Sequence, residues 1–302
     1  MKLAIVQVKP RKGEVEANLA MVGAAFAQLA GEERPYDLIV FPEAALTGYF
    51  LEGGVYELAL SAESLAARLA EAWRSQRGAQ RAPVDIVIGF FENANGTYYN
   101  AAMYLHVTAD EHRIVHIHRK MFLPTYGVFD EERFLSRGRR LQAFDTAFGR
   151  MAMLICEDIW HALMPTIAAI KGARLLIVPS ASPGRGLGGD GELESVQFWH
   201  ELLHAHAIEH GVFIVYAGLA GFEGGKGMTG SSRVIDPRGR VLAEAPALGA
   251  CVLRADIDFA EVDLARASLP LLGDLNAVLP DLLLDEELMP ALRPDLGPQA
   301  PS

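Results

Sequence analysis

Cysteine is nearly missing from this 302-residue chain: Cys156 and Cys251 are the two it has. A disulfide framework is thereby excluded, and a reducing cytoplasm is the simplest home. Positive charge is also scarce. Against 38 Asp and Glu stand 27 Lys and Arg, a formal net charge of −11 with no basic block. Such a chain is a poor ligand for nucleic acid or an anionic membrane, so neither is expected as a partner. No apolar run reaches the roughly 18–20 residues that a membrane span needs. The stretch Met1–Val8 is too short for the apolar region of a signal peptide and alternates like a strand. With 51% hydrophobic and 22% charged residues, a disordered chain is excluded and a sizeable buried core is expected.

Strand-like and helix-like stretches alternate. Strands are predicted over 3–8, 36–41, 85–91, 97–106, 113–120, 150–156, 175–178, 212–217, 231–236, 240–244 and 251–257. Helical spacing of apolar residues predicts helices over 14–29, 58–75, 159–171 and 192–209. Asn95-Gly96 marks a hairpin turn, and Pro237-Arg238-Gly239 another. There is no repeat of fixed period and no clear linker. The pattern predicts an α/β layered fold, either two facing sheets with helices outside or one large mixed sheet. Residues 261–302, rich in Leu, Pro and Asp, read as a tail packing on the core or on a partner subunit.

Three strand ends carry chemistry. In Phe41-Pro42-Glu43 the proline stops the ladder, which puts Glu43 at the C-terminal edge of a buried strand, where layered α/β folds bind ligands. The run Met151–Trp160 (MAMLICEDIW) drives a buried strand straight into Cys156 and then towards a helix. That is nucleophile-elbow order, with the thiol near a helix N-terminus expected to lower its pKa and the Glu157 N–H placed for an oxyanion. Lys120 ends a third strand, where a fixed cation beside an oxyanion would sit. Thiol, carboxylate and ammonium form a chemically complete set for attack on a carbonyl carbon. The bland alternatives are a loop glutamate and a structural cysteine, and Cys251, in mid-strand, fits the latter.

FPE, HRKMFLPTYGVFDEERF and the strand ending in ICEDIW, in that order, resemble the nitrilase superfamily of carbon–nitrogen hydrolases over roughly residues 1–260. The resemblance implies a four-layer αββα sandwich that pairs into a homodimer or higher homo-oligomer through its helical face. It implies Glu43 as general base, Lys120 as oxyanion stabiliser, Cys156 as nucleophile and Glu131 as the acid that orients lysine and substrate. No metal or cofactor is implied; a small amide and water are the partners. YGVFDE, CEDIW and Ser180-Ala181-Ser182-Pro183 are also similar to the glutaminase part of glutamine-dependent NAD synthetases, and to some amidases and carbamoylases. In that branch residues placed like Tyr49, Tyr126, Trp160 and Ser182 line the amide pocket, beside Glu157. Residues 261–302 do not provide the ATP-using synthetase part, so that activity is not implied. After Pro183 the loop GRGLGGDG departs from the branch. The reading is therefore a cysteine-dependent hydrolase of a small linear amide or N-carbamoyl compound. A glutaminase-type amidase, a nitrile hydrolase and a non-catalytic ligand-binding protein are the alternatives.

Other motifs are set aside. His200-Glu201-Leu202-Leu203-His204 is a literal H-E-x-x-H, the spacing of a zinc peptidase, but Ala207 stands where the extended pattern has glycine and a third ligand is wanting. The G-x-G-x-x-G at 184–189 comes late and lies too far from its strand for a dinucleotide fingerprint, so a mobile loop at the pocket mouth is the better reading. Gly224–Gly227 is an incomplete P-loop. His112, His116 and His118 alternate on one strand and are expected to be exposed.

Overall fold

The computed structural model describes residues 1–76, 82–186, 193–288 and 292. The loop at 187–192, with most of the glycine-rich stretch, lies outside them. The first half holds β1 (Lys2–Gln7), α1 (Val15–Ala30), β2 (Leu38–Val40), α2 (Val55–Leu58), α3 (Ala62–Arg74), β3 (Val84–Ala94), β4 (Thr97–Val107) and β5 (His112–Arg119). The second holds β6 (Ala143–Thr146), β7 (Gly149–Met153), α4 (Leu163–Ile170), β8 (Leu175–Ser180), α5 (Glu194–His210), β9 (Phe213–Gly218), β10 (Ala220–Glu223), β11 (Lys226–Thr229), β12 (Arg233–Ile235), β13 (Val241–Glu244), β14 (Cys251–Asp256), α6 (Ala260–Ser268) and α7 (Leu271–Leu283).

Two six-stranded sheets form, ordered β14-β1-β2-β3-β4-β5 and β13-β12-β9-β8-β7-β6. Their centres are parallel, β1-β2-β3 in one and β7-β8-β9 in the other. Side-chain alternation sorts the layers. Leu3 and Ile5 of β1, with Leu38 and Val40 of β2, meet the second sheet in one apolar cluster. Ala4, Val6 and Ile39 point the other way, into a cluster with Leu19, Val22, Phe26 and Leu29 of α1 and Leu65, Leu69 and Trp73 of α3. Trp199, Leu203 and Ala207 of α5 and Ala168 of α4 cover the outer face of the second sheet. The layers are α1/α3, sheet, sheet, α4/α5: the αββα sandwich.

Strands buried on both faces read as continuous apolar runs, which is why the central ones are legible. Asn95 and Gly96 both adopt left-handed backbone (φ 53° and 83°), as the two-residue β3–β4 turn requires. Several expectations are corrected. The strand expected to reach Cys156 ends at Met153, and the helix expected from 159 starts at Leu163, after a 3₁₀ turn over Cys156–Trp160. Pro165 accounts for the late start, since proline is tolerated in a first helical turn and not in the interior. Gly224-Gly225 is the turn of the β10–β11 hairpin. Of the three strand histidines only His112 is exposed; His116 is half-buried, and His118 is buried and donates towards Asp158, with Nε2 and Oδ2 2.8 Å apart. The tail forms α6, which buries Val262 and Ala265, and α7, which buries Leu272 and exposes Leu282 and Leu283, while 289–291 and 293–302 of it lie outside the described residues.

Candidate active site

Glu43 follows β2, Lys120 follows β5, and Cys156 follows β7, so the two sheets must pack face to face before the three can meet. Glu43 and Lys120 are fully buried and Cys156 is 8% exposed. The Glu43 Oε1 accepts from Lys120 Nζ at 2.9 Å and from Asn100 Nδ2 at 2.6 Å, and its Oε2 accepts from the Ala181 N–H at 2.7 Å. Ala181 follows β8, so the carboxylate of one sheet is held by the backbone of the other. At Gly89 a Cβ would lie 2.5 Å from the Glu43 Cα, so only glycine lets β3 pass this close.

Lys120 Nζ also donates to Glu131 Oε1 at 2.8 Å, and Asn100 Nδ2 reaches the same oxygen at 3.1 Å. Burial alone would push the Lys120 ammonium down, but Glu131 and Glu43 outweigh it and hold it well above the ordinary lysine value. Burial pushes the Glu131 carboxyl up while Lys120 opposes. Two carboxylates around one ammonium leave a negative surplus next to the thiol. Burial, and then Glu43, push Cys156 well above an ordinary thiol, with Lys120 opposing. The expected lowering by a helix N-terminus is thus corrected. The segment after Cys156 is a five-residue 3₁₀ turn with little dipole to offer, and the resting thiol keeps its proton.

Cys156 itself has φ 46°, a left-handed backbone that a non-glycine residue holds only where its surroundings enforce it. Asp158 holds the residue before the cysteine. Its buried carboxylate accepts from the N–H groups of Ile155 (3.0 Å), Met121 (2.9 Å) and Phe122 (3.0 Å), besides His118. It therefore staples the turn after β7 to the loop after β5. Asn100 and Asp158 are not among the residues that the sequence motifs mark. A lone amide in the apolar run of β4, and a second acid directly behind the cysteine, were the signals available.

The other expected residues are placed less uniformly. Tyr49 packs over Lys120, its ring centroid 5.6 Å from Nζ; its backbone N–H and that of Phe50 donate to buried Glu223, at 2.8 and 3.1 Å. Tyr126 Oη donates to the Glu157 carboxylate at 3.0 Å. Those two line a cavity of about 450 Å³ with Met121, Pro124 and His161, whereas Tyr49 and Glu131 line one of about 180 Å³ with Phe134 and Lys226. Cys156 lines neither, and neither do Trp160 and Ser182. Those two join a stack instead: Trp160 meets Trp199 edge-on at 5.0 Å, and Trp199 Nε1 donates to Ser182 Oγ at 2.9 Å. Among the described residues, His200, Glu201 and His204 do not come together as a metal-ligand group.

An αββα sandwich with a thiol, an ammonium and two carboxylates converging at its strand ends is the architecture of a carbon–nitrogen hydrolase. The carbon-nitrogen hydrolase family model matches residues 2–267, and the chain belongs to that family. It is 30% identical to the 2-oxoglutaramate amidase of Bacillus subtilis over 246 residues, 81% of this chain and 87% of that protein. It is 26% identical to the glutamine-dependent NAD(+) synthetase of Thermotoga maritima over 261 residues, 86% of this chain but 42% of that protein. The chain thus spans less than half the length of such synthetases. The crystal structure of a carbon-nitrogen hydrolase from Helicobacter pylori superposes with a TM-score of 0.79 at 23% identity, covering 95% of this chain and 99% of that one. No helix among the described residues is long and apolar enough to cross a membrane.

Proposed function

We propose that the protein hydrolyses the C–N bond of a small linear amide or N-carbamoyl compound through a thioester on Cys156. The observation that carries this reading is the Glu43–Lys120 pair, fully buried at 2.9 Å beside a cysteine held at positive φ. Glu43 takes the Sγ proton as sulfur attacks the amide carbon, so the thiolate is made only when it is used. The oxyanion is held by Lys120 Nζ and the Glu157 N–H. Collapse breaks the C–N bond, and Glu43 passes its proton to the departing amine. Glu43 then deprotonates water, which attacks the thioester; the acid leaves and sulfur regains its proton.

Glu131 is the positioning acid, keeping the ammonium charged and aimed. We assign Tyr49, Tyr126 and Glu157 to substrate contact; Tyr49 packing over Lys120 and Tyr126 reaching the Glu157 carboxylate support this. An amide of a short dicarboxylic acid, as in glutamine or 2-oxoglutaramate, is the favoured substrate. Similarity to the Bacillus amidase over most of both chains supports this reading. The test is ammonia release from glutamine, 2-oxoglutaramate, N-carbamoyl amino acids, aliphatic amides and nitriles, comparing wild type with Cys156→Ala. Cys156-dependent release from an amide supports the proposal. Release from nitriles alone, or release that Cys156→Ala retains, overturns it.

A further inference from the structure

We propose that His206, Glu209 and His210 on α5 bind a transition-metal cation of the zinc class, at a site separate from the Cys156 centre. The three stand at i, i+3 and i+4 on one helix, which turns them to the same side. One ligand atom from each lies within 4.8 Å of the other two. His206 Nδ1 is 3.8 Å and His210 Nε2 is 3.9 Å from Glu209 Oε2.

The argument rests on where the imidazole protons must be. His206 Nε2 lies 3.1 Å from the Ile159 carbonyl, and His210 Nδ1 lies 2.9 Å from the His206 carbonyl. A carbonyl only accepts, so each of those nitrogens carries the proton. In the neutral rings the lone pairs are then on His206 Nδ1 and His210 Nε2, the two atoms that face Glu209. Backbone carbonyls fixing the tautomer of metal-binding histidines from behind is the ordinary second layer of a metal site. His206 is 4% exposed and its Nδ1 has no hydrogen-bond partner. A contact of 3.8 Å is too long for a hydrogen bond, so the carboxylate does not use up either lone pair; the Thr166 hydroxyl, 2.9 Å from His210 Nε2, is the donor the cation would displace, and it can turn to the Ala162 carbonyl 2.7 Å away.

Two imidazoles and a carboxylate suit a borderline cation such as Zn²⁺ rather than Mg²⁺ or Ca²⁺, which prefer all-oxygen shells. A tetrahedral shell of radius about 2.1 Å puts ligand atoms about 3.4 Å apart. Glu209, whose side chain is 56% exposed, can swing inward to shorten its own two contacts, and the two imidazoles, within 4.8 Å of each other, would turn towards the cation to complete the shell. Water fills the fourth position, next to Thr166, whose Oγ1 is 2.9 Å from His210 Nε2. Since His206 also holds the Ile159 carbonyl in the Cys156–Trp160 turn, the cation would fasten α5, α4 and the nucleophile segment to one another.

The test is a zinc titration of chelator-stripped protein by calorimetry, with melting temperature read in parallel. Wild type, Cys156→Ala, Glu209→Gln and His204→Ala are compared. One zinc per chain is expected in wild type, Cys156→Ala and His204→Ala, with a rise in melting temperature. Glu209→Gln, a change at an exposed side chain, should weaken binding at least tenfold and lose the thermal shift. Absence of stoichiometric binding, binding that Glu209→Gln retains at full strength, or binding lost with Cys156→Ala or His204→Ala would each overturn the assignment.

Discussion

The two sheets contribute unequally to the site. The β1–β5 sheet supplies the charge: Glu43 after β2, Asn100 within β4 and Lys120 after β5, joined by hydrogen bonds of 2.6 and 2.9 Å on Glu43. The β6–β9 side supplies the thiol and backbone: Cys156 after β7 and the Ala181 N–H after β8. Neither sheet alone has a nucleophile and its base. What brings them into register is the apolar face between them and two polar stitches across it, Ala181 to Glu43 and Asp158 to the loop after β5. Reactivity here is a property of the seam, and the variants that follow attack its two sides and then the seam itself.

Removing the thiol should have the largest effect. Cys156→Ala deletes the bond-forming atom, so turnover should fall by about 10⁴-fold or more, while melting and circular dichroism stay near wild type. Near-normal ammonia release from this variant would dissolve the distinction between the two sides.

Lys120→Met attacks the charged side. Loss of one oxyanion donor typically costs about 100–1000-fold in kcat. This ammonium also separates two carboxylates, and breaking such a buried pair costs about 3–5 kcal/mol. The double variant Lys120→Met/Glu131→Gln should therefore melt higher than Lys120→Met alone, without regaining activity. If the single variant melts like wild type, the charge cluster is not under the tension its burial implies.

Asp158→Asn tests the seam without touching thiol, base or ammonium. An amide keeps the shape but turns two acceptor sites into donors facing N–H groups. Leaving such buried donors unsatisfied costs roughly 1–3 kcal/mol each. The expected result is a lower melting temperature and a lower kcat with little change in KM, because the turn carrying Cys156 loosens while the substrate pockets stay. A change in KM alone would mean that Asp158 belongs to the pocket rather than to the seam.

How much of this was legible in the sequence follows from the same division. Strand ends are marked locally, by Pro42 before Glu43 and by the acids after Cys156, so the reactive residues could be picked out without knowing which strands pair. The stitches are long-range. Asn100 meets residues 57 and 31 positions away, and Ala181 meets Glu43 across 138; no local pattern encodes those distances. The β10–β11 hairpin leaves little mark on the sequence, because its strands are four residues each and its Gly224-Gly225 turn carries no apolar alternation. The burial of His118 is not legible, because alternation says only that it shares a side with His112 and His116. It does not say that Asp158, 40 residues on, waits to receive it. The direction of the thiol pKa is hidden for a related reason: the sequence suggests a helix after Cys156, and the Glu43 and Glu131 charges opposite it come from the other sheet.

The smallest effect is expected where the sheets meet at their outer edge. His116 of β5 stacks on Phe144 of β6, ring centroids 4.6 Å apart and planes within 25°. Burial first, and then the neighbouring His118, push its pKa down to about 4 from an ordinary 6.5. A group depressed in the folded state favours folding fully above its unfolded value and loses that contribution as pH falls towards the folded one. The seam should therefore weaken between pH 6.5 and about 4, as the unfolded chain takes up a proton that the folded one resists. His116→Gln removes the titrating ring, so its melting temperature should drop less than that of wild type between pH 7 and pH 4.5. Parallel losses in both proteins would move the acid sensitivity away from this edge and onto His206 and His210, whose pKa burial also pushes down.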